Sequence, residues 1–499
     1  MRLPWTKTDL WLTNWTVETN LVAASNQTQV TVAMNGRTNL FFLAVEDYRM
    51  TTNNFRGMDS VEAGGGVPDT MGAVGQNHFV ELLNHRIAVY HKTYRTNGMQ
   101  ITNASIQEFF SASSTTNVFD PRILYDGQSN RWVASAIDGL NLYLAVSKSP
   151  SPEDLTTNNW WTFVIPLAAS VDYDTLGMDA NGIYLSMVQP VTNNHRIVAI
   201  NKTNLYQGSF RTNILFVSGA EMNVMTIQPA LRFDSSPLGG VAWFVGKEAP
   251  ETNATYRGGA IRYRGLRWTG DVADWADTNG WRILAEPTNT YRDYFDFNGT
   301  SSNLAVRAPA VGYTNIDLGN VGSRLMNAVI RDGYLWTCQH VGLDTNGTYS
   351  GDTSGTNVSR SGLQWLKLKI ETNGESLTYA EHGRFYDEAL DNPLWYYFPS
   401  VMVNAAGDML MGFSASGATN LIGAYYVWRP ACGVTDKKAR LIYDGEIVWG
   451  RDRLGDYSYT SLDPTDQLTF WTVQEYAEYY EDDQGPIWGT WIAEIKPKP

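Results

Sequence analysis

The chain has 499 residues, 43% of them hydrophobic and 18% charged, which is enough to bury a large core. Its net charge is -14 and no Lys/Arg cluster interrupts it, which argues against a nucleic-acid partner. No apolar run reaches the roughly 18 residues of a membrane-spanning helix.

The N-terminus, Met1-Arg2-Leu3-Pro4-Trp5, lacks the charged-then-apolar pattern of an export signal, so the chain reads as cytoplasmic or as a mature form or fragment. Residues 1–37 are expected to form a small β extension or the remnant of an upstream module, because Thr28–Val32 is rich in β-branched residues. The apolar run at 38–46 is the expected partner for a last sheet that lacks one strand. Gly64-Gly65-Gly66 reads as a flexible linker.

From Pro68 onward one pattern recurs: a polar or Pro-containing entry, a short strand, a tight Asp/Asn/Gly turn and a more apolar strand. These are β-hairpin signals. They begin at Pro68, Asp120, Asp172, Gln228, Arg324, Phe398 and Gly455. Further strand candidates follow most hairpins, as at Ile87–Tyr90, Leu142–Val146 and Trp161–Ile165. Seven such units predict an all-β, seven-bladed β-propeller of four-stranded blades over residues 38–499, with insertions around 247–320 and 341–360. The two cysteines, Cys338 and Cys432, define no disulfide framework, and both a bridge and free thiols stay open.

The stretches Pro68-Asp69-Thr70-x-Gly72-Ala73-Val74-Gly75, Phe119-Asp120-Pro121-Arg122, Arg324-Leu325-Met326-Asn327-Ala328, Tyr397-Phe398-Pro399-Ser400 and Arg453-Leu454-Gly455-Asp456-Tyr457-Ser458 resemble a family of secreted, largely uncharacterised bacterial propellers described as sialidase-like. The resemblance covers about residues 66–497. It implies the fold and a secreted or cell-surface location rather than a reaction, and makes the mature-form reading of the N-terminus the preferred one. The Ser-x-Asp-x-Gly-x-Thr-Trp turns of true sialidases are missing, and Thr278-Asn279-Gly280-Trp281 only echoes them.

In a propeller the entry residues of every blade converge on one face. Asp69, Asp120 and Asp456 are therefore the candidate catalytic carboxylates, since glycoside hydrolysis needs an acid paired with a base or nucleophile. Arg122, Arg324 and Arg453, with Tyr397 and Tyr457, are the candidate substrate-binding groups, because a guanidinium fork matches a carboxylate or sulfate. In the competing structural reading, each Asp accepts backbone N–H groups at a strand entry and each Arg ties two blades together. None of the histidines has metal-ligand spacing, and no cofactor is expected. His85 remains a candidate base for a lyase. The oxygen-rich stretches at 172–182 and 344–352 offer calcium ligands, with ordinary turns as the alternative. The expected partner is a glycan or polysaccharide. The expected function is a glycoside hydrolase acting on an acidic polysaccharide, with a non-catalytic glycan-binding or adhesion scaffold and a polysaccharide lyase as alternatives.

Overall fold

A computed structural model describes residues 16–20, 28–34, 37–43, 48–92, 99–219, 224–233, 240–248, 260–284, 306–319, 321–322, 324–348, 358–372, 374–432, 437–451, 453–480 and 485–497. The described residues fall into two compact units, divided between Arg49 and Met50. In the first, Thr16–Asn20, Thr28–Met34 and Arg37–Leu43 form a three-stranded antiparallel sheet.

The second unit is a ring of seven antiparallel blades, the architecture expected from the repeat. Every one of the seven hairpins supplies the two inner strands of a blade. They are Met71–Val74 with His78–Leu82, Phe119–Asp126 with Arg131–Ile137, Asp172–Met178 with Gly182–Gln189, Val224–Pro229 with Val241–Glu248, Ala328–Arg331 with Tyr334–Leu343, Trp395–Val403 with Met409–Gly417, and Tyr459–Leu462 with Phe470–Glu478. Two blades depart from the plain pattern. In blade 4 the outer position is shared by Val272–Trp275 and Arg282–Leu284, and in blade 5 Leu231–Arg232 adds in parallel to the innermost strand.

Local chemistry explains why the hairpins form. Asp126, Asp179, Asn404 and Asp463 each turn a side-chain oxygen onto backbone N–H groups two to four residues ahead, closing the same Asx turn in blades 2, 3, 6 and 7. Neighbouring blades then bury both faces against each other. Trp243, Val245 and Tyr263 of blade 4 pack with Leu335, Leu366 and Leu368 of blade 5, each such side chain contributing roughly 2 kcal/mol.

Polar bonds follow the ring from blade to blade. Asp120 N donates to Asn84 (2.8 Å), Ser135 to Asp174 (2.7 Å), Thr175 to the Ile227 carbonyl (2.7 Å), and Gln228 to the Leu325 carbonyl (2.7 Å). Asn327 then donates to the Val401 carbonyl (2.9 Å), Ser400 meets Thr460 (2.9 Å), and Thr70 donates to Glu475 (2.8 Å), which returns the circuit to blade 1.

The last blade is closed from the N-terminal side, but not by residues 38–46. Its outer strand is Tyr48–Asp59, beside Ile487–Pro497, whereas Arg37–Leu43 pairs with Thr28–Met34. The boundary expected between residues 37 and 38 correspondingly falls between Arg49 and Met50. An outer strand needs few apolar residues, so a polar run serves, and the Asn53, Asn54 and Arg56 side chains reach across. Asn53 donates to Glu494 (2.6 Å), Asn54 accepts from Trp491 (3.3 Å), and Arg56 donates to Glu478 (2.6 Å).

Candidate functional site

The innermost strands of four blades start with a kink. In blades 1, 2, 3 and 6 the residue two before the first regular cross-strand pair is left-handed: Asp69 (φ 45°), Asp120 (φ 52°), Tyr173 (φ 49°) and Phe398 (φ 54°). An aromatic residue in that region is strained, and such strain persists only where neighbours hold it. The ladder breaks register at this point in blades 2, 3 and 6, a bulge that redirects side chains.

The kinks gather the predicted residues, and most of them are used up in structure. Arg122 is buried. Its Nε donates to the Asp174 carbonyl (2.8 Å) and lies 3.7 Å from that carboxylate, while its guanidinium sits 3.5 Å from the Tyr457 ring centroid and 5.2 Å from that of Tyr173. It clasps blades 2, 3 and 7 together. Tyr457 is buried beneath it with its hydroxyl on the Pro121 carbonyl (3.4 Å), and Tyr397 is fully buried against Phe398. The Arg324 guanidinium also lies over the Tyr173 ring, 4.7 Å from its centroid. Asp120 accepts from the Tyr173 backbone N–H (2.9 Å). Replacing Arg122 with Ala should lower the unfolding free energy by about 3 kcal/mol, because it strands the Asp174 charge, and Lys should recover less than half of that loss. Chemical denaturation of both variants measures it.

Several buried carboxylates, Asp69, Asp174 and Glu475 among them, keep an oxygen without a hydrogen-bond partner. Asp69 Oδ2 accepts from Asn84 (2.6 Å) while its buried Oδ1 has no partner, and Glu475 Oε1 takes the Thr70 hydroxyl while its buried Oε2 has none. Burial, reinforced by the charge of Asp456, pushes Asp69 up to about 7. Burial also raises Glu475, with the charges of Asp69 and Asp456 adding to it, and raises Asp120 beside Asp69. Asp174 is pushed by burial to about 6 in spite of Arg122.

Arg453 differs from the other two arginines. It donates to Asp456 (2.6 Å), yet its side chain is 40% exposed and lines a pocket of about 560 Å³. The pocket walls are Ser60, Val61, Gly64–Val67, Trp449, Arg451, Ile487 and Trp488. The glycines are no loose linker. All three have positive φ, Gly64 caps the one-turn helix Ser60–Ala63, and the Gly66 carbonyl accepts from the Trp488 indole (2.7 Å). A Cβ on Gly66 would come within 2.7 Å of His85 Nε2, so His85 stands behind this wall, its value lowered by burial. Trp449 is buried with its indole N–H unpartnered. The Asn84 amide that holds Asp69 also donates to the Val67 carbonyl (3.0 Å), joining the pocket wall to the carboxylates.

The pocket lies outside the predicted residue set, save for Arg453. Two signals for it exist in the sequence: the unbroken Gly64-Gly65-Gly66 and the run Trp449-Gly450-Arg451-Asp452-Arg453. The two oxygen-rich stretches contain ordinary turns. Asp179 and Asp344 each give an oxygen to backbone N–H groups, and among the described residues no group of three or more His, Cys, Asp or Glu side chains could hold a metal ion. Cys338 is buried and Cys432 exposed, both free. Among the described residues no helix is long and apolar enough to cross a membrane.

No protein-family model matches the chain, and no curated protein matches it. Solved structures that it resembles include the hemagglutinin-neuraminidase of parainfluenza virus 5 with the ligand DANA, at 9% identity and TM-score 0.38, covering 90% of this chain and 96% of that one. Another is the N-terminal domain of Nup159, at 9% identity and TM-score 0.37, over 89% and 95% of the two chains. A third is an exo-β-1,3-galactanase from Clostridium thermocellum, at 11% identity and TM-score 0.30, over 90% and 100%. No residue role transfers at this level of likeness.

Proposed function

We propose that this propeller binds an acidic glycan, outside the cell or at its surface, in the pocket beside Arg453. The observation that carries the reading is the lining itself: two guanidiniums for a carboxylate or sulfate, two largely buried indoles in the wall, and a backbone stretch free of side chains at three successive glycines. The location rests on the resemblance to secreted propellers described above. Binding without cleavage is favoured over hydrolysis by the fate of the other polar groups, since Asp120, Asp174 and Arg122 are committed to the ring.

A binding screen against uronic and sulfated glycans, scored also for reducing-end release, tests the proposal. Trp488→Ala and Arg453→Ala are each expected to weaken binding at least about tenfold, the cost of a lost stacking or charge-assisted contact. The thermal melt of Arg453→Ala should stay close to the parent's, whereas Trp488→Ala, which empties a buried site, should melt lower. Unchanged affinity in both variants refutes the assignment.

A second reading has one specific support. Asp69, held near neutrality with an unclaimed oxygen and with Asp456 close enough to raise it, has the character of a general acid. In that case the same screen detects new reducing ends, and Asp69→Asn abolishes them without loss of binding. His85, set behind Gly66, gives a lyase no comparable support.

A further inference from the structure

We infer that the pocket and the carboxylates at the strand entries are one linked device: an anionic ligand takes the Arg453 guanidinium from Asp456, and Asp69 takes up a proton as it does so. The inference rests on the acidic-glycan reading and adds a coupling to it.

The geometry supplies the exchange. Arg453 is the residue common to both places, lining the pocket and donating a single hydrogen bond, from Nη2, to Asp456 Oδ2. Its Nε is buried without a partner. The Asp456 side chain is far less exposed than that of Arg453, 14% against 40%, so the guanidinium is the partner that a ligand in the pocket reaches. A ligand carboxylate offers two oxygens to a fork that now holds one, and a bidentate pair outcompetes a monodentate one. Trp449, buried and with its N–H unclaimed, is a second donor in the lining.

The charges around this exchange are all on the ring. Arg453 faces Asp456, Asp69 and Asp120, with Arg451 on the same pocket wall. Asp69 is faced by Asp456, Arg453 and Arg122, and Glu475 lies within reach of both Asp69 and Asp456. Asp120 is faced in turn by Asp172, Asp174 and Arg122. Beyond them the Tyr173 and Tyr457 rings pack on Arg122, and Arg324 on Tyr173. Arg56, four residues before Ser60 of the lining, is bound to Asp59, Glu62 and Glu478.

In the empty pocket Arg453 helps to hold Asp69 ionised, and Asp456 opposes it. A bound anion cancels the first influence and, by drawing the Arg453 charge away from Asp456, strengthens the second. Both changes favour the protonated Asp69 carboxyl, so loading draws a proton from solution. By reciprocity, affinity for the anion falls as pH rises through the range in which Asp69 loses its proton.

Methyl β-glucuronide, with methyl β-glucoside as the neutral control, tests this by calorimetry at pH 6, 7 and 8. Proton uptake is followed in parallel as the pH change of a weakly buffered solution. The glucuronide should bind several-fold to tenfold more tightly at pH 6 than at pH 8 and take up a fraction of a proton at pH 7. Asp69→Asn, whose amide stands in for the protonated acid, should bind with the tight affinity at all three pH values and take up none. Equal affinity at pH 6 and 8 overturns the coupling and leaves the acidic-glycan reading standing. A pH dependence that survives undiminished in Asp69→Asn also overturns it. Failure of the glucuronide to bind at any pH defeats the acidic-glycan reading itself.

Discussion

Removal of residues 1–59 is expected to abolish cooperative folding of the propeller, whereas removal of residues 1–47 should leave its melting transition in place. The strand Tyr48–Asp59 is the fourth strand of blade 7, and without it Ile487–Pro497 becomes an open edge. The loss goes beyond ladder bonds. Phe55 and Met58 are buried, contributing roughly 2 kcal/mol each. Arg56 forms a three-carboxylate network with Glu478, Asp59 and Glu62, and Met58 N and O bond to Glu81 and Thr490. Together these approach the 5–15 kcal/mol that usually separates a folded domain from its unfolded chain. Differential scanning calorimetry of the two truncations decides it. A 1–59 deletion that still melts cooperatively near the parental temperature contradicts the clasp. A 1–47 deletion that fails to fold shows that the two compact units depend on each other.

The second large effect is expected at Glu81, the buried carboxyl at the heart of that clasp. It accepts the Thr490 and Tyr90 hydroxyls and the Met58 backbone N–H, linking blade 1, the closing strand and blade 7. Glu81→Ala strands all three donors and should lower the unfolding free energy by about 4 kcal/mol. Burial also pushes Glu81 up to about 7, despite the hydrogen bonds that pull it down. A carboxyl raised on folding keeps its proton in the folded state. The fold is therefore favoured most below the ordinary glutamate value and is penalised progressively as pH rises from there to about 7, by about 3 kcal/mol for this residue. Asp69 and Asp174, pushed by burial to about 7 and about 6, act in the same direction. The protein should thus unfold at a lower temperature at pH 8 than at pH 5, and Glu81→Gln should flatten the Glu81 share of that slope. A melting temperature that rises from pH 5 to pH 8 contradicts this.

The propeller was legible because its determinants are local. An Asx turn such as Asp179-Ala180-Asn181-Gly182 declares its hairpin within four residues, and a repeat multiplies the signal. The closing strand was misplaced for the opposite reason. The run at 39–45 is the more apolar, but Arg37–Leu43 pairs locally, while Tyr48–Asp59 is polar and finds its partner more than 430 positions away. Individual roles at the site were less legible still. Whether Arg122 faces a ligand or a clasp depends on Tyr173 and Tyr457, which arrive from two other blades. The pocket joins residues from 60–67, 449–453 and 487–488, a juxtaposition that only ring closure creates.

The same closure has a consequence for biosynthesis. Thr490 and Met58, which bond across the seam, are 432 positions apart, so the outer strand of blade 7 leaves the ribosome long before its neighbour exists. Bringing such distant segments together costs about 5 kcal/mol of chain entropy. Blades 1 to 6 have all their hairpin partners in hand as they emerge, and can stack in the order of their synthesis. Until Ile487–Pro497 is translated, Tyr48–Asp59 waits as an unpaired strand, and its polar residues make it a poor template for other chains. The polarity that hid this strand among the apolar runs thus also blunts the edge of a half-made ring.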